Sequence, residues 1–240
     1  MRVVLIHGSG GNAGTAWTAV RPLAERFTLV TPTRGGYPPN PPLERIDFET
    51  QAEELAPLLG DGAHLVGHSY GGVISLLIAA RHPGRVRSLA VSEPPAFGLA
   101  FGNPAVDELV EQLNEHFTSG PREPRAFAEG FLALVGTKAQ LPDPLLPEAE
   151  QSIRATMAER MPWEAEVPLD ELARASFPKL VVSGAHHPAF DAVCDVLEER
   201  LPARREVLPG AGHGIPRAPG YRELLAGFLD DSSWTERLVQ

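Results

Sequence analysis

Cysteine is nearly absent from this sequence of 240 residues, and that scarcity is informative. The lone Cys194 excludes an intramolecular disulfide and suits a reducing, cytoplasmic compartment. Positive charge is also in short supply: 21 Lys and Arg stand against 31 Asp and Glu, for a formal net charge of −10. Nucleic acid and anionic membrane surfaces both need a basic face, so neither is expected as a partner. Long apolar runs are missing too. Residues 73–80 form one of eight, far below the roughly 20 that span a bilayer. The N-terminus enters an apolar stretch at Val3 without the longer apolar region and small-residue cleavage site of a secretory signal. The glycine-rich residues 8–14 lack both a dinucleotide fingerprint in its strand-to-helix context and the Gly-Lys-Ser/Thr of a phosphate loop. No nucleotide or other cofactor is expected.

What remains is the composition of an ordinary globular chain, 43% hydrophobic and 22% charged, long enough for one α/β domain with an insertion. Short apolar runs at residues 3–6, 27–30, 64–66, 86–92, 180–183 and 205–208 read as strands. Helical spacing covers residues 16–26, 48–59, 71–82 and 189–201. Strands that are nearly continuous in Val, Leu and Ile, alternating with helices, predict a mostly parallel sheet of about six strands flanked by helices. From residue 94 to 176 the alternation stops. Helical stretches near 105–117, 125–135, 148–161 and 169–175, jointed by prolines, predict an inserted helical cap over the C-terminal strand ends. The expected division is a core of residues 1–93 and 177–240 with a cap of residues 94–176.

The most specific local signal is Gly67-His68-Ser69-Tyr70-Gly71-Gly72, between the apolar runs 63–66 and 73–80. A Gly-x-Ser-x-Gly at a strand-to-helix junction is the pattern of a nucleophile elbow. Ser69 must project alone from a sharp reversal, and Gly67 and Gly71 lack the side chains that would collide as strand and helix close. The following helix directs its N-terminal amides toward the serine, where they favour negative charge.

Together with His7-Gly8-Ser9-Gly10-Gly11 after the first strand and Pro209-Gly210-Ala211-Gly212-His213 near the end, this order of parts resembles the α/β-hydrolase fold family over most of the chain. The family usually opens with an antiparallel hairpin, for which there is no room before Val3 here; hence the expectation of about six strands. The resemblance implies Ser69 as nucleophile and His213 as the base that a poorly nucleophilic hydroxyl requires. It implies an oxyanion hole from the backbone amides of Tyr70 and Ser9. The acid departs from the family pattern. Where an Asp usually follows the next-to-last strand, this chain has Gly184-Ala185-His186-His187. Glu93, at the end of the strand after the elbow helix, is the preferred candidate, and Asp191 the alternative. Pro94 is expected to keep Glu93 extended.

His68 is expected to shape the elbow and pocket wall, His7 to fix the oxyanion loop, and Cys194 to be a buried small hydrophobe. His186-His187 lack a third spaced ligand, so no metal is expected. Phe97, Phe101, Phe131 and Trp163 are candidates for an apolar substrate pocket. The implied activity is that of a serine hydrolase cleaving an ester-like bond of a small, mainly apolar molecule. A lactonase, a carbon–carbon bond hydrolase, a hydroxynitrile-lyase-like enzyme or a non-catalytic ligand-binding receptor on the same scaffold are the alternatives.

Overall fold

Six short strands, every neighbouring pair parallel, run in the order β2-β1-β3-β4-β5-β6 through the computed structural model, which describes residues 1–137 and 140–231. In chain order the elements are β1 (Arg2–Ile6), α1 (Ala13–Ala16), β2 (Thr28–Val30), α2 (Phe48–Leu55), β3 (Ala63–His68), α3 (Tyr70–Arg81) and β4 (Val86–Ser92). An insertion carrying α4 (Pro104–Ser119), α5 (Pro124–Leu134), α6 (Pro147–Met157) and α7 (Leu169–Arg174) follows. The chain then returns to the sheet as β5 (Lys179–Ser183), α8 (Pro188–Arg200), β6 (Ala203–Val207) and α9 (Tyr221–Asp230). Among the described residues of the insertion none joins the sheet; Glu159 makes an isolated bridge to Ile46.

The strands sort their side chains by alternation. Val4, Ile6, Leu65, Leu89, Val91 and Val181 pack on one face with Phe48 of α2, Ile74 and Leu77 of α3 and Val193 and Leu197 of α8. Val3, Leu5, Val66, Ala90, Leu180 and Val182 pack on the other with Trp17, Val20, and Leu225 and Phe228 of α9. Helix α3 is buried from Tyr70 through Ala79, as its all-round apolar sequence requires. Truncating Leu76 or Leu77 there would cost about 2–5 kcal/mol.

Two expectations need correction here. The helix expected over residues 16–26 is instead the short α1 followed by 3-10 turns over Thr18–Glu25, with Pro22 removing an amide that a continuous α-helix would use. The last strand lies earlier than residues 205–208, because Ala203 through Val207 pair with Lys179 through Ser183. Helix α9 corresponds to none of the expected helices. Among the described residues, no helix is long and apolar enough to cross a membrane.

Candidate active site

The chain runs from β1 out to β2 and then crosses back to β3 on the other side of β1, and this reversal of direction opens a crevice at the C-terminal strand ends. Ser69 stands at that crevice with φ 53° and ψ −128°, a conformation that non-glycine residues rarely adopt. Such strain, about 1–3 kcal/mol, persists only where the surroundings impose it. Here the Ser69 amide donates to Ser92 O at 2.9 Å, and Ser69 O accepts from Gly72 N at 2.7 Å. The closeness of strand and helix is measurable: a Cβ on Gly71 would lie 2.2 Å from the carbonyl oxygen of Ile6.

The loop after β6 brings His213 to Ser69. Its Nδ1 donates to Glu93 Oε2 at 2.7 Å, and a carboxylate can only accept, so Nε2 is left as acceptor 2.9 Å from Ser69 Oγ. Glu93 is fully buried. Burial alone would raise its pKa, but the adjoining His186 and His213 rings and the Gly184 amide, bound to Oε1 at 2.7 Å, hold it down at about 2. Its backbone is not extended as expected: φ is 42°. The local preference imposed by Pro94 yields to the Glu93 amide's bond to Val182 O and to the side-chain bonds. Asp191 is not brought to His213. Its Oδ1 accepts from Ser183 Oγ at 2.7 Å and faces Arg205 at 3.4 Å.

The two expected oxyanion donors, Ser9 and Tyr70, border the same small cavity as Ser69. Their backbone N–H groups have no acceptor among the described residues. What holds Ser9 was invisible in the sequence. Its hydroxyl donates to Glu159 Oε2 at 2.5 Å, while Gly10 N donates to Thr156 Oγ1 at 3.0 Å. Glu159 and Thr156 belong to the insertion. The Glu159 carboxylate also accepts from Tyr37 OH at 2.7 Å and pairs with the fully buried Arg34. Burial pushes the Glu159 pKa up against the pull of Arg34. Arg34 in turn lies over the rings of Tyr37 and Tyr70, 4.6 Å from each centroid.

The remaining histidines have definite partners. His7 Nδ1 donates to Gly8 O at 2.8 Å and Nε2 accepts from Arg34 N at 3.0 Å; burial and the Arg34 charge lower its pKa to about 3, so it is neutral. His68 Nε2 donates to His213 O at 2.7 Å, and burial lowers its pKa to about 3 as well. Cys194 is buried and its thiol is pushed up to about 12, leaving an inert hydrophobe. Around His186 the fold assembles what the sequence lacked: Glu93, His186 and His213 each present a ligand-type atom within 4.8 Å of the others. Glu93 and His213 already bind one another, so a cation there would have to displace that bond.

Two cavities meet at Ser69 and His213. The outer, about 220 Å³, is walled by apolar side chains of the insertion, including Phe127, Phe131, Leu141 and Ile153, with Arg217 among its lining residues. The inner, about 30 Å³, is lined by Phe97, Phe131, Trp163 and Phe190. Phe97, Phe131 and Trp163 thus line cavity as expected, whereas Phe101 is exposed and lines neither.

The profile of the family described as "Alpha/beta hydrolase family" matches residues 3–222. The chain is 30% identical over 243 residues to a pimeloyl-[acyl-carrier protein] methyl ester esterase of Aeromonas hydrophila subsp. hydrophila, covering 95% of this chain and 94% of that one. The fold is similar to a protein of Nostoc sp PCC 7120, with a TM-score of 0.74 at 18% identity over 96% of this chain and 91% of the other. It is also similar to carboxylesterase CesB of Bacillus subtilis, with a TM-score of 0.69 at 19% identity over 95% and 83%.

Proposed function

The chain belongs to the alpha/beta hydrolase family, and from that premise we propose that it is a serine esterase that cleaves a small, mainly apolar ester through an acyl-enzyme. The observation that carries this reading is the unbroken chain from Glu93 through His213 to Ser69, with bonds of 2.7 and 2.9 Å, at the junction of two apolar cavities. The name of the Aeromonas relative, a methyl ester esterase, supports ester cleavage.

In this mechanism Ser69 Oγ attacks the ester carbonyl as its proton passes to His213 Nε2. Glu93 stabilises the imidazolium and holds the ring with Nε2 toward the serine. The amides of Ser9 and Tyr70 bind the oxyanion as it forms, where preorganised donors have their largest effect. His213 then protonates the departing alkoxide, activates water, and returns the serine to its starting state. The inner cavity has room for about two waters. It accommodates the shorter side of the ester, and the outer cavity the longer. We assign the described residues of 94–176 as the cap over a core of residues 1–93 and 177–231, because the insertion supplies most of the apolar wall; residues 232–240 of the expected core lie outside the described residues. The single unpaired cysteine suits a reducing compartment, and we place the enzyme in the cytoplasm.

The test is covalent labelling with a fluorophosphonate alongside turnover of short p-nitrophenyl esters. Labelling and turnover that both vanish in Ser69→Ala are expected. A native protein that binds such esters but neither labels nor turns over would be a receptor, and this assignment would fail.

A further inference from the structure

One further titratable side chain is built into the site and has no part in the mechanism above. His186, just after β5, stacks on Phe190 with centroids 5.5 Å apart, and its ring lies 5.9 Å from that of His213. It is also fitted beneath the end of α5. A Cβ at Gly136, where φ is 66°, would lie 2.5 Å from His186 Cδ2. Its Nε2 is 3.1 Å from Val135 O. Its buried Nδ1 is 3.2 Å from Glu93 Oε1, off the alignment of a strong hydrogen bond and with no other partner.

Both ring nitrogens therefore face oxygens that can only accept. A neutral imidazole carries one N–H and would turn a lone pair toward one of those oxygens; the imidazolium satisfies both. Burial works against the proton, but Glu93 and Val135 O, with Asp191 further off, outweigh it and raise the His186 pKa. Among the described residues, the charged and titratable surroundings are Glu93 from the end of β4, His213 from the loop after β6, and His187 and Asp191 from its own segment. Behind His187 stands Glu108 of α4. Residues 135–137, on the α5 side, carry no titratable side chain.

We propose that His186 is a positioning residue for the triad: as an imidazolium bridging the α5 carbonyl and Glu93, it keeps the carboxylate turned toward His213 and sets the acidic limit of the reaction. This rests on the roles assigned above to Ser69, His213 and Glu93. The acid then divides its charge between two rings. A cation 5.9 Å from the His213 ring also opposes a second positive charge beside it, which ties the acidic limit of the reaction to His186.

The experiment has two arms. In His186→Gln and His186→Asn, kcat/KM for p-nitrophenyl acetate is measured against pH. The expected result is an acidic limb displaced upward by about 0.5–1 pH unit, with plateau kcat lowered about 3–10-fold and KM within about twofold. A limb that stays in place while only its height falls would reduce His186 to packing and overturn the inference. The second arm needs neither a variant nor turnover. In ¹⁵N-histidine-labelled wild-type protein, both His186 nitrogens should carry protons at about pH 6. A singly protonated ring at that pH would overturn the inference even in a protein that hydrolyses no ester, whereas failure of the esterase assignment would be read from turnover and labelling alone.

Discussion

Glu93→Gln is the sharpest single perturbation of the proposed site. The native carboxylate accepts from Gly184 N at 2.7 Å and from His213 Nδ1 at 2.7 Å, using both oxygens. A glutamine offers one oxygen and one NH2. If its oxygen stays with Gly184, the NH2 meets Nδ1 as a donor, the ring changes tautomer, and Nε2 presents a proton to Ser69 where a lone pair is required. If the amide flips, Gly184 N is left buried without an acceptor, at about 1–3 kcal/mol. His186 loses its counter-charge in either case. The expected fall in kcat is about 10²–10⁴-fold, or about 2.7–5.5 kcal/mol of transition-state stabilisation. The assay is steady-state hydrolysis of a short p-nitrophenyl ester, with a thermal melt to establish that the variant is folded. A folded Glu93→Gln enzyme within tenfold of wild type, together with an Asp191→Asn enzyme reduced by 10² or more, would refute the reasoning and move the acid to α8.

Two other outcomes follow from the same contacts. Glu93 stays ionised in the folded state down to about pH 2, whereas an unperturbed glutamate titrates near 4.5. The unfolded chain takes up that proton first, so the stabilisation is complete above about pH 4.5 and lost as pH falls toward 2. It amounts to about 3 kcal/mol. Denaturant melts across that window should show the slope in wild type and its absence in Glu93→Gln; equal slopes would contradict it. Ser9→Ala removes the hydroxyl held by Glu159 while leaving the backbone amide, so kcat should fall about 3–10-fold with KM within about twofold and fluorophosphonate labelling retained. A loss as complete as in Ser69→Ala would show that the hydroxyl itself takes part in the reaction.

How much of this was legible in the sequence depends on how far each feature reaches along the chain. The elbow was readable because strand, turn and helix are contiguous, and the two glycines state the steric requirement locally. Glu93 was readable as a strand-end carboxylate in chain order, but its backbone conformation was not: the rule for a residue before proline is local, and the bonds that override it come from Val182, Gly184 and His213. The Arg34–Glu159 pair gave no signal at all. Its members are separated by 125 residues, and nothing in the sequence around either marks it for burial. In the sequence His186 reads only as half of a metal pair with His187, whereas its partner Glu93 lies at the end of the neighbouring strand β4. Helix α9 could have been found from Tyr221, Leu225, Phe228 and Leu229, which share one face at helical spacing and are all buried.

The carboxylate of Glu159 ties the insertion to the core by a bond that cannot be exchanged piecemeal. Its acceptor oxygens belong to the insertion, while the groups that need them, Arg34, Tyr37 and Ser9, all precede β3 in the chain. Grafting the insertion of another family member onto this scaffold would strand a guanidinium in the dry interior unless an acid arrived at the matching place. Substitutions among the residues that face the cavities leave that ionic rivet in place.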